Sequence, residues 1–554
     1  MTRHALPAAL VGALLLATNA EAQIQRVQAP ADGQETTVYA LTDARIVVMP
    51  GRVMERGTIL IRDGRIEAVG PQVAIPADAH RLDMTGHTVY PGLIDVASTL
   101  GLPPGGSAGA GDGNNDDAAG VPGLQARRLA ADVYRPDDSA LDALRAIGVT
   151  TVGLAFKGGV LPGRSAALNL GAGDPHLQIL RSPVAVQVAL EGRRGGYPAT
   201  LMATQAYLRQ AFLDAGHYRL QLQAFARNPS GGPRPVHTAE QQALLPAVSG
   251  ELAVWIEASR ENDLKRMMAF AEEMGLDYVL LGAQEGYRVV DELAAEGRPV
   301  IVSLDFPAPG AVTGRAFHSP VTAAPGQAMP RAAADSMITR ALHANPATLL
   351  GAGIPVALAS HGLFQPADLM DRVRLAMEAG LSADDALGAL TLTPARLLGL
   401  EAVLGSIEAG KLANLAVLEG DLFAEDAQVR HVFVEGRRFD IPDREPTPAA
   451  APGEVNVSGN WHANISSPMG AFSLQIRLQQ EGNRVTGQLT GPMGPAPVQG
   501  DVDGAAVRLS SSMAGLTLRI HVTVDDNRMS GTVSSPDFDE TIPFTATRTP
   551  GGDS

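Results

Sequence analysis

The 554-residue chain contains no cysteine. Disulfides are excluded, as are thiolate catalysis and zinc sites built on cysteine, so the fold rests on its core and any metal needs His, Asp, Glu or a modified Lys. Lysine is almost as scarce: it occurs only at Lys157, Lys265 and Lys411, and arginine supplies nearly all the positive charge. A formal net charge of −16 leaves no general basic surface, which argues against nucleic acid and anionic lipid as partners. Beyond the N-terminus no apolar run approaches the roughly 20 residues that a membrane-spanning helix needs. No His-x-His pair occurs anywhere in the chain.

What is present reads as globular: 45% of residues are hydrophobic and 18% charged. The length implies about two to four domains. Residues 1–22 carry Arg3 and His4, then an apolar stretch over 5–17, then Ala20-Glu21-Ala22 ahead of Gln23. That is the pattern of a cleavable signal peptide, and the apolar run is short for an uncleaved anchor. The expectation is a periplasmic or secreted protein that begins near Gln23, with no cysteine to accept a lipid.

Residues 38–69 alternate in short apolar runs around a Pro50-Gly51 turn and an Asp63-Gly64 dipeptide, a hairpin signal. The β pattern returns at 414–419 and 429–434, with Glu435-Gly436 as a turn. Segments 23–90 and 400–440 are therefore expected to form one split β-sandwich from both ends of a central region. Over 91–399, apolar runs at 89–96, 150–156, 166–170, 184–190, 253–258, 278–281, 299–304 and 355–360 alternate with helix-like segments. The helices are expected at 139–147, 199–215, 261–274, 287–296, 331–343, 366–379 and 382–390. Eight such strands predict an α/β protein with a (β/α)8 TIM barrel rather than an open sheet.

Residues 102–123, rich in Gly, Pro, Asp and Asn, read as a loop after the first strand. Asp112, Asn114 and Asp116 imitate a calcium loop, but Asp117 replaces its glycine and no glutamate ends it. The Pro/Ala-rich stretch 441–453 is a linker, and 454–549 reads as an antiparallel β-barrel or sandwich, with strands expected at 485–489, 498–502, 506–510, 516–524 and 529–533. Its Pro-Met-Gly repeats at Pro468 and Pro492 suggest matching turns. Such a domain serves either stability and spacing or the binding of a lipid or partner.

The stretches GTILIRDGRIEAVG, GHTVYPGLIDVASTLGL and TLTPARLLGLEAVLGSIEAGKLANLAVLEGDLF carry a resemblance. Over residues 37–440 the chain resembles the amidohydrolase superfamily, near its imidazolonepropionase-like and dihydroorotase-like branches. The resemblance implies the barrel and split sandwich just described. It also implies hydrolysis of carbon–nitrogen bonds by one or two divalent metals at the C-terminal ends of the barrel strands, with a metal-activated water and an Asp that takes up its proton.

The residues depart from that pattern position by position. After PGLID, the family's two first-strand histidines are replaced by Ala97 and Thr99; a methyl cannot ligate a metal and a neutral hydroxyl is a poor substitute for imidazole. The fourth-strand bridging lysine aligns with Gln187. Glu257 stands where the fifth strand has a ligand histidine, Gly282 where the sixth has one, and His361 where the eighth has the catalytic Asp. Glu257 and His361 keep ligand chemistry, and Asp305 and Glu285 follow the seventh and sixth strands, so a metal site of altered geometry or an acid/base pair is the alternative to a disused pocket. His318 and His343 read as loop and helix residues. Ser165, in a PGRS loop, lacks the G-x-S-x-G context of a serine hydrolase.

Two functions follow. The first is an exported, non-catalytic or diverged homologue that binds a small molecule at the barrel mouth, or a partner such as a second copy or an active relative. The second is a hydrolase of amide or other carbon–nitrogen bonds working through a rebuilt site. No cofactor is implied by the set as it stands; zinc or a similar divalent ion enters only in the second case.

Overall fold

A computed structural model of the chain describes residues 37–548 except 103–123, 136–137, 193–196, 307–330, 364–365, 425, 443–454, 468–469, 483, 492–493, 514–515, 526 and 536–537. The expected signal peptide, the 112–117 loop, His318 and most of the 441–453 linker lie outside the described residues. Among those described, no helix is long and apolar enough to cross a membrane.

The N-terminal part contributes β1 (Tyr39–Met49), β2 (Arg52–Arg62), β3 (Arg65–Gly70), β4 (His80–Asp83) and β5 (His87–Pro91). Asp63 and Gly64, at φ 50° and 74°, make the tight turn that returns β2 into β3, with Arg62 opposite Arg65. Both residues sit in the left-handed region, which is what an Asp-Gly hairpin turn of this kind requires.

The central region contributes β6 (Leu93–Ser98), β7 (Val149–Leu154), β8 (Gly163–Arg164), β9 (Ala166–Asn169), β10 (Ile179–Arg181), β11 (Ala185–Ala189), β12 (Ala253–Ala258), β13 (Tyr278–Gly282), β14 (Val300–Ser303) and β15 (Val356–Ala359). After it come β16 (Leu415–Glu419), β17 (Gln428–Val434) and β18 (Arg437–Asp440). These last three join the N-terminal strands in one eight-stranded sheet of order β18-β17-β16-β5-β1-β2-β3, with β4 beside β1. The junction is antiparallel, and Val89 lies opposite Val417. Ile46, Ile59, Val89, Val417 and Phe433 share the apolar core of this sheet.

The barrel strands are TIM-barrel-like in arrangement. β6 runs parallel to β7, and β11 through β15 are parallel in sequence order. The third expected strand is a correction: β9 pairs antiparallel with β7 rather than forming a further βα unit. Only eleven residues separate Leu154 from Ala166, and a parallel return needs a dozen or more, usually helical. With Gly158, Gly159, Pro162 and Gly163 in that stretch, a helix has no room to form.

Helical limits also moved. The helix expected to end at 215 runs over Leu201–Arg227, because Gly216 sits where nothing crowds it and the chain meets no stronger breaker before Asn228-Pro229. The segment expected over 331–343 continues as Arg331–Gly351 through Pro346. A helix over Ala239–Val248, which also contains a proline, was not expected at all.

The tail forms a closed antiparallel barrel of β19 (Gly459–Ser467), β20 (Gly470–Glu481), β21 (Arg484–Gly491), β22 (Gly494–Asp503), β23 (Ala506–Met513), β24 (Leu516–Asp525), β25 (Arg528–Ser535) and β26 (Phe538–Arg548). It has its own apolar core, including Trp461, Ile476, Leu489, Ile520 and Phe544. Ser467 pairs with Gly470 and Gly491 with Gly494, while Pro468, Met469, Pro492 and Met493 of the two repeats lie outside the described residues.

Candidate functional site at the barrel mouth

Alternation along the strands decides which side chains enter the barrel. Trp255, Ile301, Ala357 and Ala359 point into an apolar interior shared with Ile94, Ala185, Val279 and Leu281. Period two then carries Glu257 beyond Trp255, Ser303 and Asp305 beyond Ile301, and His361 beyond Ala359 toward the C-terminal ends of the strands. There they line a cavity of about 200 Å³ together with Lys157, Ser259, Arg260, Gly282, Gln284 and Gly362.

In the cavity, His361 Nε2 lies 3.3 Å from Glu257 Oε1. His361 is buried, whereas the Glu257 side chain is 24% exposed. The second Glu257 oxygen accepts the Gly158 amide at 3.1 Å. Burial alone would raise the Glu257 carboxyl, but the charge of the nearby His361, the Gly158 amide and Lys157 outweigh it and hold the group below its ordinary range. Neither ring nitrogen of His361 has a hydrogen-bond partner, so Nε2 meets Glu257 as a charge-to-ring contact and not as an aligned hydrogen bond. The His361 carbonyl accepts the Ser303 hydroxyl, which also accepts the Asp305 amide, so the ends of β14 and β15 are tied beneath the ring. Gln284 donates to the Asp305 carbonyl at 2.6 Å, and Lys157 to the Gly362 carbonyl at 3.4 Å.

The structure thus brings Glu257, His361 and Asp305 to one cavity, with Gly282, at φ +104°, at its wall. It does not bring the other family positions there. The β6–β7 ladder slips between Asp95 and Ser98, and Val96 and Ala97 both sink into the barrel's apolar interior, Ala97 with no exposure. Thr99 follows the strand and lies outside the cavity lining. The Gln187 amide is spent on the backbone of Phe156, accepting its N–H at 2.8 Å and donating to its carbonyl at 3.3 Å.

Glu285 is a correction as a site candidate. It is buried and accepts the Glu261 amide at 2.8 Å, capping the start of the helix Glu261–Met274. A carboxylate there meets unpaired N–H groups and the positive end of the helix dipole. Ser165 is likewise buried and stitches the backbone of Ala185 across the barrel wall, at 2.9 and 3.3 Å. His343 lies in Arg331–Gly351 against the Phe306 ring. Lys157, which sequence reading passed over, lines the cavity; the signal was available as a lone lysine directly after a barrel strand.

A divalent metal held in the family's manner does not fit this set. Among the described residues no group of three or more His, Asp or Glu side chains converges as a metal requires. Two of the expected donors are a methyl and a hydrogen, and a third is an amide already satisfied at both ends.

The sequence profile of the amidohydrolase family matches residues 326–439. An imidazolonepropionase of Vibrio cholerae is 42% identical over 65 residues, which is 11% of this chain and only 16% of the relative's length. An imidazolonepropionase of Deinococcus radiodurans is 26% identical over 397 residues, 68% of this chain and 88% of the relative. The crystal structure of an amidohydrolase from Thermotoga maritima matches with a TM-score of 0.59 at 24% identity, covering 73% of this chain and 100% of that one.

Proposed function

The chain belongs to the amidohydrolase superfamily, and on that premise we propose that it is a diverged member whose barrel mouth binds a small ligand without the family's metal chemistry. The observation that carries this reading is the fate of the donor positions. Ala97 is packed into the apolar interior, Gln187 is locked onto Phe156, and Gly282 offers no side chain. Metal affinity is cumulative over ligands and their supporting hydrogen bonds, so what remains is too sparse for a tightly held ion. The mouth keeps the concavity and the few convergent polar groups of a binding site. In this reading the mixed eight-stranded sheet is the family's split sandwich, and the chain is exported after cleavage before Gln23; N-terminal sequencing of the mature protein checks the latter.

A second reading is favoured by one feature, the 3.3 Å approach of Glu257 to His361. A carboxylate that orients an imidazole beside a cavity is the arrangement of a general base, and metal-independent hydrolysis of a carbon–nitrogen bond would use it. The two readings separate experimentally. Protein purified without chelator is assayed for bound metal and for hydrolysis of amide and cyclic-amide substrates, while thermal shift against a panel of small polar metabolites reports binding. The first reading expects ligand-dependent stabilisation that Glu257→Ala and His361→Ala abolish, without turnover. About one tightly held divalent ion per chain, lost in Glu257→Ala, would overturn it. Turnover that survives chelation and vanishes in His361→Ala would establish the second.

A further inference from the structure

The helix Leu201–Arg227 has two apolar faces. One holds Tyr207, Leu208, Ala211, Phe212 and Ala215, all buried against the neighbouring helices, with the Phe212 and Phe270 rings 5.8 Å apart. At about 100° per residue, Met202, Ala206, Leu213, Leu220 and Ala224 fall within an arc of roughly 40° on the opposite side, where a surface helix ordinarily presents polar residues. All five are exposed, and Met202, Leu213 and Leu220 are 82%, 56% and 56% accessible. Among the described residues, five of the nine exposed large apolar side chains lie in this helix or just ahead of it. Such a concentration marks an interaction surface rather than scattered surface hydrophobics.

We propose that this stripe is the contact between two copies of the chain, packed antiparallel about a two-fold axis at Leu213. A two-fold interface must be complementary to itself. Reflection about position 213 sets Met202 against Ala224, Ala206 against Leu220, and Leu213 against its own copy. Met202 and Leu220 then each meet a methyl, the large-into-small alternation that interlocking helices need, and only the Leu213 pair meets like with like at the axis. The flanks do not oppose the pairing. Arg209 reflects onto His217, and its charge is already held by Glu273 at 2.7 Å, while His217 is within 2.8 Å of Gln221. An unrelated partner would require no such reflection.

The stripe is about 33 Å long and one helix wide, a footprint on the order of 300–400 Å², well short of the roughly 800 Å² per partner of a standard interface. The dimer is therefore reversible and concentration-dependent. The absence of cysteine supplies a direct test in the full chain. Leu213→Cys forms a disulfide-linked dimer under mild oxidation, because its two copies meet at the axis. Met202→Cys alone does not, since its copies lie about 33 Å apart, far beyond the ~7 Å a disulfide can span. A mixture of Met202→Cys and Ala224→Cys chains does cross-link. In sedimentation velocity the unmodified chain shows a dimer whose dissociation constant Leu213→Glu with Leu220→Glu raises by about ten-fold or more. A chain that stays monomeric at every attainable concentration overturns the proposal. So do equal cross-linking of Leu213→Cys and Met202→Cys, and a stripe that binds anionic vesicles without self-association.

Discussion

Asp95 on the first barrel strand accepts both the amide, at 2.9 Å, and the hydroxyl of Ser360 at the end of the last, so a side chain rather than a backbone ladder fastens this seam of the barrel. Asp95 is fully buried, and burial pushes its carboxyl up to about 6 despite the hydrogen bonds from Ser360 and Ser98 that favour its charged form. A native value above the unfolded one means that the folded state binds the extra proton. The stabilising contribution is complete below the ordinary aspartate range and is lost as pH rises through about 6. Asp95→Asn keeps the site neutral at every pH. Relative to the parent it should gain on the order of 2–3 kcal/mol between pH 4 and pH 7 in urea unfolding. A parent–variant difference that does not change with pH would contradict this.

The Glu257–His361 pair should behave in the opposite sense. Its carboxyl lies below the ordinary glutamate range, so the stability it lends is present at neutral pH and lost as pH falls through that range. Glu257→Gln and His361→Asn each leave a half-buried or buried partner without its counterpart, whereas the double variant removes both. A double-mutant cycle at pH 7 should give a coupling on the order of 1–2 kcal/mol that shrinks at pH 4. Additivity within about 0.3 kcal/mol would show that the two groups are merely neighbours.

These contacts indicate how far the sequence could be read. The hairpin at Asp63-Gly64, the barrel strands and the joining of Val89 to Val417 follow from local alternation and turn chemistry, which a single chain displays openly. The grouping of Glu257, His361 and Asp305 was legible because all three close strands of one period. Ser165, Gln187 and Glu285 were not, because their roles depend on backbone groups of Ala185, Phe156 and Glu261 that only tertiary packing brings near. The antiparallel course of β9 is not carried by its apolar run, which looks like that of a parallel strand, but by the eleven residues before it, too few to hold a crossover.

Restoring the first-strand histidines should fail structurally as well as chemically. Ala97 has no exposure and packs among Ile94, Val96 and Ala155. Ala97→His inserts a polar ring where only a methyl fits, which should cost about 1–3 kcal/mol or more from overpacking and an unsatisfied nitrogen. With Thr99→His added, elemental analysis should still find no stoichiometric zinc, since Gln187 and Gly282 supply no ligand. A stable double variant carrying about one zinc per chain would show that the interior yields more readily than its packing implies.

The C-terminal barrel should fold alone, because its core is separate and its closure is internal. Trp461 of β19 lies opposite Arg548 of β26, the pair where the first and last strands meet. Its indole N–H donates to the Val457 carbonyl at 2.8 Å, and the Arg548 guanidinium lies 4.6 Å from the ring. The close strand crossings elsewhere leave no space for adjustment: a Cβ at Gly487 or Gly500 would lie 2.0 or 1.8 Å from a neighbouring carbonyl oxygen. Trp461 is the only tryptophan in residues 454–554, and the chain's other one, Trp255, reports on the central barrel. The fragment 454–554 should therefore unfold in a single cooperative transition visible in tryptophan fluorescence. Trp461→Ala should lower its stability by about 3–5 kcal/mol, the range for emptying a large aromatic site, read by circular dichroism because the variant fragment carries no tryptophan. In the full chain the same substitution leaves Trp255 as the single tryptophan, and the Trp255 transition should stay where it was. A fragment without a cooperative transition, or a Trp255 transition that moves with Trp461→Ala, would mean that the tail depends on the rest of the molecule.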